Sequence, residues 1–375
     1  MMRWLVNVGL LCVKELRSLV HDRVLLGLIV FAFSAGVLLV ANGVKVEVSN
    51  ATVAFIDEDQ SPLSRSMRDR VLPPYFKPPV MVDRAGALRG MDEGDYIFVV
   101  DIPPRFEADV LAGRTPAVQI RVDATAMTQA GLGTAYLNEI LLNAVADMLH
   151  APSVADQVPF TAQSRIRFNP NSESKWFTSV MQIVTNITIL SIVLVGAAVI
   201  REREHGTLEH LLVMPVTASE IAVAKIVTNG LVIFVGAMLS LWLVVHVWLG
   251  VPLAGSILLF AVCSLLYLFS ATALGIMLAT VAPTMPQFGL LVVPVYAVAY
   301  LLSGAATPVE SMPAAMQVVV RFLPTTQFVN LSQAILYRGA GLGAIMLPLL
   351  TVSITGIVFL VFALARFRSM LARQE

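Results

Sequence analysis

The chain has 375 residues, 57% of them apolar and only 13% charged, with a mean hydropathy of +0.79. Soluble domains carry about 25% charged residues, so this composition excludes an ordinary soluble globular protein. Lys+Arg and Asp+Glu balance at 25 each, which leaves no electrostatic footprint for nucleic acid.

At the N-terminus, Leu5–Val13 is apolar and is followed by Lys14, Arg17 and Arg23, with no small-residue cleavage pattern. An uncleaved signal anchor is expected. On a helical wheel over residues 3–22, Trp4, Leu5, Val8, Leu11, Leu16 and Leu19 share one side, and Arg3, Lys14, Arg17 and His21 the other. Two readings fit. One is an amphipathic helix (residues 1–23) lying in the membrane interface with Lys14, Glu15, Arg17 and Arg23 near headgroups; the other is a helix extending the first span. Val24–Val44 lacks any charge and is long enough to cross the roughly 30 Å hydrocarbon core.

Residues 45–175 change character, holding 13 of the 25 Lys/Arg and 17 of the 25 Asp/Glu. Strand-like Thr52–Asp57, Val80–Asp83, Tyr96–Ile102 and Ala117–Asp123 alternate with helix-like Ser61–Leu72, Arg84–Met91, Pro103–Ala112 and Gln129–Leu149. That alternation predicts an inserted α/β domain. The acidic run Asp57-Glu58-Asp59 lacks the glycine and distal glutamate of an EF-hand loop and reads as a solvated turn.

From Trp176 the apolar runs resume. Trp176–Ile200, Ile226–Leu249, Ala254–Val281, Gln287–Ala305 and Gly343–Ala365 bring the expected spans to six. The predicted fold class is therefore an α-helical membrane protein with six transmembrane helices and an inserted α/β extracytoplasmic domain. Short-loop cations set its orientation. Arg3, Lys14, Arg17 and Arg23, then Arg201, Arg203 and Lys225, then Arg366, Arg368 and Arg373 fall on one side; Arg321 and Arg338 fall on the other. Both termini and the 201–215 segment are thus expected in the cytoplasm, and residues 45–175 outside.

Between the fifth and sixth spans, residues 306–341 hold two apolar stretches, Ala314–Phe322 and Thr325–Leu336, bracketed by Pro308, Pro313 and Pro324. They read as re-entrant or surface-lying half-helices whose ends must be satisfied by protein or water. Glu310 and Arg321 near them suit either an outer gate or interface anchors. On the second span, Gln182, Thr185, Asn186 and Ile189 mark a face suited to a pathway at a dimer seam, or to polar helix packing. His246 is the only histidine from Ile226 to Val309, a stretch with no Asp, Glu, Lys or Arg. Without intramembrane carboxylates it reads as a packed, hydrogen-bonded residue rather than a proton relay. Cys12 and Cys263 have no ligand-like spacing and read as packing residues; no metal site is expected.

The centre of the pattern is Arg201-Glu-Arg-Glu-His-Gly-Thr-Leu-Glu-His-Leu-Leu-Val-Met-Pro215, a charged segment between membrane-length apolar runs. Leu208, Leu211 and Leu212 share one helical face, and Glu202 and Glu209 line the other. Pro215 ends this helix, and Thr217-Ala-Ser-Glu220 is a capping box that starts the next. No lysine follows a glycine, which excludes a Walker A loop. A solvated connector would also be charged, so two readings stand for this segment: a docking helix or a simple loop.

RERExGTLExLLVxPV at residues 201–216, KELRSLVHDR at 14–23, and LSGAATPVESMP with RFLPTTQFV at 302–329 together resemble ABC-2 type transporter permeases. The large insert after the first span resembles the multidrug-type subgroup of bacterial inner membranes. That resemblance implies two permease subunits, this chain with a second copy or a paralogue, and two cytoplasmic ATPase subunits that hold ATP and Mg. No cofactor is expected in this chain itself. It also implies outward transport, with Arg201, Glu202, Arg203, Glu204, Gly206, Thr207, Glu209 and Pro215 coupling to the ATPase. A periplasmic adaptor is a further expected partner, and hydrophobic or amphipathic cargo is expected. The competing reading is a membrane scaffold or receptor whose outer domain binds a ligand. An ion-coupled secondary transporter is disfavoured by the absence of intramembrane carboxylates and of inverted-repeat symmetry.

Overall fold

The computed structural model describes residues 2–43, 48, 50–149, 168–169, 173–204 and 216–371. It divides into two compact units, Val44–Ser174, and Met1–Gly43 together with Lys175–Glu375. The second unit carries the helices α1 (Met2–His21), α2 (Arg23–Phe33) and α3 (Ala35–Gly43) that precede the insert.

In the Val44–Ser174 unit, β1 (Val53–Asp57), β2 (Val80–Met81), β3 (Phe98–Ile102) and β4 (Gln119–Val122) form a sheet ordered β2-β1-β3-β4. β1 runs parallel to both β2 and β3, while β3 and β4 are antiparallel. Helices α4 (Pro62–Asp69), α5 (Arg84–Asp92), α6 (Phe106–Leu111) and α7 (Met127–Met148) fall between and after the strands. Because strand side chains alternate between faces, Phe55, Phe98 and Val100 meet Leu63, Met67, Leu137 and Leu141 of α4 and α7 on one side. Ala54, Ile56 and Val99 meet Ala87 of α5 on the other. Both faces of β1 and β3 are covered, which is why Val53–Ile56 and Phe98–Val100 read as continuous apolar runs. Gly133 of α7 lies flat on the Phe98 ring, where an added Cβ would come within 2.4 Å.

Local chemistry places the helices. The Ser61 hydroxyl accepts from Ser64 N, with Pro62 at the first helical position of α4. α6 starts at Phe106 rather than at Pro103 as the sequence suggests. Pro103 precedes Pro104, and a residue before proline is steered out of the helical region. The acidic run is a junction: Asp57 accepts from Gln60 N at 2.8 Å and Ser64 Oγ at 2.7 Å, and Asp59 accepts from Glu107 N at 3.0 Å. Glu107 in return accepts from Leu63 N at 2.9 Å, so the starts of α4 and α6 cap one another.

The membrane unit is built round α8 (Ser174–Glu204), the most enclosed of the long apolar helices. After it come α9 (Ala218–Leu239, continuing as a π-helix over Ser240–Trp248), α10 (Ile257–Val281), α11 (Met285–Leu301), α12 (Ala314–Val320), α13 (Pro324–Leu336) and α14 (Leu342–Leu371). Small residues let the backbones close on α8: Gly275 of α10 faces the Ile192 carbonyl, and Gly196 of α8 faces the Phe288 ring. Among the described residues, five helices are long and apolar enough to cross a membrane: Arg23–Gly43, Ser174–Glu204, Ala218–Trp248, Ile257–Val281 and Leu342–Arg366. Met285–Leu301 is shorter, at 17 residues, with Pro294 inside it. It spans about 25 Å at 1.5 Å per residue. The sequence places that helix at Gln287–Ala305; the chain instead turns after Leu301, where Ser303 Oγ caps the Tyr300 carbonyl.

The first span is broken at Ser34, which leaves helical geometry with φ −121 and ψ −88. At the far end of α9, Leu249 N bonds back to Val244 O, the five-residue spacing of a π-helix. His246 Nδ1 lies 3.1 Å from the Val251 carbonyl, the hydrogen-bonded histidine its surroundings suggest.

Candidate functional site

The candidate site begins with α1, whose Asn7, Val8, Leu11, Cys12, Glu15 and Leu19 recur at three- and four-residue spacing and so form one stripe. The stripe lies along the first turns of α9. Asn7 Nδ2 donates to Glu220 Oε1 at 3.1 Å, Thr228 Oγ1 donates to the Cys12 carbonyl at 3.3 Å, and Lys225 Nζ sits 3.1 Å from Glu15 Oε1. Leu5, Val6, Leu10, Val13 and Val20 remain exposed beside Arg17 and Arg23, a composition suited to a lipid interface. α9 itself starts at the capping box: Thr217 N donates to Glu220 Oε2 at 2.5 Å, and Glu220 N to Thr217 Oγ1 at 3.4 Å.

Against this pair comes the end of α8, where each of four consecutive charges reaches a different element. Arg201 Nη1 lies 3.4 Å from Asp22 Oδ2, and Asp22 in turn caps α2 by accepting from Leu25 N at 3.0 Å. Glu202 holds Lys14 of α1 at 2.6 Å with one oxygen and Lys225 of α9 at 2.8 Å with the other. Arg203 Nη2 donates to the carbonyl of Ala282, which ends α10. Glu204 Oε1 accepts from the N–H of Met285, which begins α11, at 2.8 Å. A cation at a helix C-terminus and an anion at an N-terminus both complement the helix dipole.

The sequence reading turns Glu202 outward toward a partner; the structure turns it inward, its side chain only 13% exposed. The reason is Lys225, which is 1% exposed and lies in the apolar run that begins α9. A buried ammonium must be paired or lose its proton, and Glu15 and Glu202 provide the pairing. Lys14 completes the set at half exposure. Burial works to lower the Lys14 pKa, but the hydrogen bond and charge of Glu202, aided by Glu15, outweigh it and hold the ammonium above its ordinary value. The Asp22 carboxyl is held below its usual range, chiefly by the Leu25 N–H and, despite some burial, by Arg201. Lys14, Glu15, Arg201, Glu202, Lys225 and Asn229 line a crevice of about 80 Å³. Nothing in this constellation resembles group-transfer chemistry. The end of α8 is thus tied to α1, the start of α2, α9, the end of α10 and the start of α11.

Of the other sequence candidates, Gly206, Thr207, Glu209 and Pro215 lie outside the described residues. Gln182, Thr185 and Asn186 border two different cavities. Gln182 and Asn186 border an open groove of about 440 Å³ beside the first span. Thr185 borders a separate cavity of about 10 Å³ with Thr188, Tyr296, Tyr300 and Thr325. Among residues 306–341, Pro308, Glu310, Pro313 and Arg321 are exposed and Pro324 is buried at the start of α13. α13 is clamped at both ends: Gln327 Nε2 donates to the Arg321 carbonyl at 2.6 Å, Ala254 N to the Leu336 carbonyl at 2.9 Å, and Tyr337 Oη to the Trp176 carbonyl at 2.7 Å. Asp22, Lys225 and Glu220 are the site residues that sequence reasoning missed. A lysine flanked by Ala224 and Ile226 is a signal that could have revealed Lys225, since a charge in an apolar run needs a partner.

Residues 24–365 match the model of a family described as ABC-2 family transporter protein. The chain belongs to the ABC-2 transporter family. It is 46% identical over 367 residues to the inner membrane transport permease YhhJ of Escherichia coli K12, covering 98% of each chain. It is 27% identical over 349 residues to the probable multidrug ABC transporter permease YbhR of the same strain, covering 91% of this chain and 94% of that one. A similar 27% identity links it to YbhS, a probable multidrug ABC transporter permease, over 347 residues and 89% of each chain. This ABC-2 protein is thus the membrane subunit of a transporter, and permeases of its family work with ATPase subunits.

Proposed function

We propose that the chain is the permease of an ATP-driven exporter that moves hydrophobic or amphipathic, drug-like molecules outward across the bacterial inner membrane. In this reading six helices span the membrane, with Met285–Leu301 as the short fifth. Both termini and the 201–215 segment face the cytoplasm, and the Val44–Ser174 unit faces the periplasm. ATP and Mg are held by a separate ATPase pair, and a second copy or a paralogue completes the membrane half. An adaptor in the periplasm is a further partner, and residues 306–341 serve as the outer gate.

The observation that carries this reading is the fourfold joint at Arg201–Glu204. A segment pushed by an ATPase needs a stiff connection to the helices that must move, and those four side chains provide it. The labour then divides. Glu209, with Gly206 and Thr207, meets the ATPase, whereas Glu202 passes the movement inward.

The test is purification from native membranes followed by reconstitution with the ATPase found there. Glu209→Arg is expected to weaken association with the ATPase. Glu202→Gln is expected to keep association but lower export per ATP hydrolysed. Absence of any co-purifying Walker A protein, together with unchanged export in Glu209→Arg, would sink the reading.

A further inference from the structure

The groove beside the first span is lined by Leu28, Phe31, Leu39 and Val40 on one wall and by Ile189 and Val193 on the other, with two amides at its floor. Ser34 lies 11 residues beyond Arg23, about 16 Å along the helix and so near the middle of a roughly 30 Å core. At that depth water is scarce, and the hydrogen-bonding polarity of the floor decides what the groove accepts.

That polarity is fixed by the backbone. The helix break at Ser34 leaves the Ala32 carbonyl to Asn186 Nδ2, which donates to it at 2.6 Å. A carbonyl can only accept, so Asn186 must present its amide NH₂ there and turn its oxygen toward Gln182. Gln182 Nε2 donates to that oxygen at 2.9 Å. The acceptor left over is Gln182 Oε1, which lies in apolar surroundings beside the second N–H of each amide.

We infer that the groove is a binding site, within one subunit, for a membrane-partitioned amphiphile that offers a hydrogen-bond donor, an amine or hydroxyl, to Gln182 Oε1. Plain acyl chains fill the volume but leave the oxygen unsatisfied; a ligand donor removes that penalty. A volume of about 440 Å³ falls within the range of roughly 300–1,000 Å³ common for small-molecule sites. The inference rests on the exporter reading for its physiological meaning, since this amphiphile would be cargo, but the binding itself does not.

The test uses the full-length protein in detergent with three diazirine-bearing probes of equal chain length: a long-chain amine, the alcohol and the methyl ester. Labelled peptides are located by mass spectrometry. The amine and the alcohol are expected to label peptides containing Phe31, Leu39 or Ile189, and the ester weakly. Gln182→Leu should lower amine and alcohol labelling roughly tenfold, the equivalent of one hydrogen bond, without altering ester labelling. Leu39→Trp, which fills the groove from its exposed wall, should block all three whether or not Gln182→Leu folds normally. Equal labelling by the three probes, or labelling unmoved by either variant, overturns the inference. So does spontaneous Leu39→Cys disulfide cross-linking between copies, which would mean that a second chain covers the groove. Failure to recover an ATPase would overturn the exporter reading and leave these labelling patterns unchanged, so the two failures are distinguishable.

Discussion

Lys225 shows how much one residue decides. With 1% exposure and two carboxylates at 3.1 and 2.8 Å, it is a buried charge held in place by Glu15 and Glu202. Breaking a buried pair from one side leaves the remaining charges uncompensated, at a cost of about 3–5 kcal/mol. Lys225→Ala is therefore expected to lower the melting temperature of the detergent-solubilised protein steeply. Lys225→Met with Glu202→Gln should recover part of that loss. Lys14→Ala, at a half-exposed ammonium, should cost about 1 kcal/mol or less. Equal melting temperatures for the Lys14 and Lys225 variants would show that the network is not organised by burial. A second residue-scale expectation concerns Asp59. Burial tends to raise its pKa, but the Ser61 hydroxyl and the N–H groups of Glu107, Phe106 and Arg105 outweigh it and hold the carboxyl below 3.8. Its contribution is thus fully present above the unfolded value and is lost as pH falls through the lower, folded one. Asp59→Asn should flatten this part of the acid limb in melts followed by circular dichroism. An unchanged acid limb would remove Asp59 from the account.

At the scale of elements, α13 contrasts with α12. Almost every side chain of α13 is buried, Phe328 stacks on Tyr267 at 4.1 Å, and both ends are tied to other segments. α12 exposes Met316, Val318 and Val319 and buries only Val320. Within residues 306–341, α13 is therefore the firmly packed part and residues 308–319 the loosely packed part. The fixation is testable at Gly255, where an added Cβ would lie 2.0 Å from the Ile335 carbonyl oxygen. Gly255→Ala must push the backbones apart, an overpacking cost of about 1–3 kcal/mol. Tyr337→Phe, which removes the donor to Trp176 O, should cost about 1 kcal/mol. Thermal unfolding in detergent measures both; no loss in Gly255→Ala would show that α13 is free to shift. The Ser34 break is the complementary case, since Asn186 satisfies a carbonyl that the helix itself abandons.

For the whole molecule, the Val44–Ser174 unit has its own core, with Phe55, Phe76, Phe98 and Leu137 fully buried. A unit with a separate core and both faces of its central strands covered should fold alone. Expressed as residues 44–174 it is expected to be soluble and to melt cooperatively with a mixed helix–strand spectrum. Aggregation without a cooperative transition would show that it depends on the membrane unit. In the membrane unit, Lys14, Glu15, Arg201, Glu202 and Lys225 gather round one crevice at the end of α8, and the separate groove lies beside the first span.

The sequence by itself determined the long apolar helices and the strand–helix alternation over residues 52–149, because period, length and charge exclusion from apolar runs are local properties. Thr217 and Glu220 announced their helix start for the same reason, since a capping box needs only four consecutive residues. Only the tertiary structure decided which way the charges point. Glu202 looks solvent-facing on its own helix until Lys225, 23 positions later in the sequence, arrives beside it. Gln182, Thr185 and Asn186 sit close together on α8, yet the fold gives Gln182 and Asn186 to the groove beside the first span and Thr185 to a separate cavity. Partner choice for a buried polar group is a non-local decision, made by whatever the fold brings within about 3 Å.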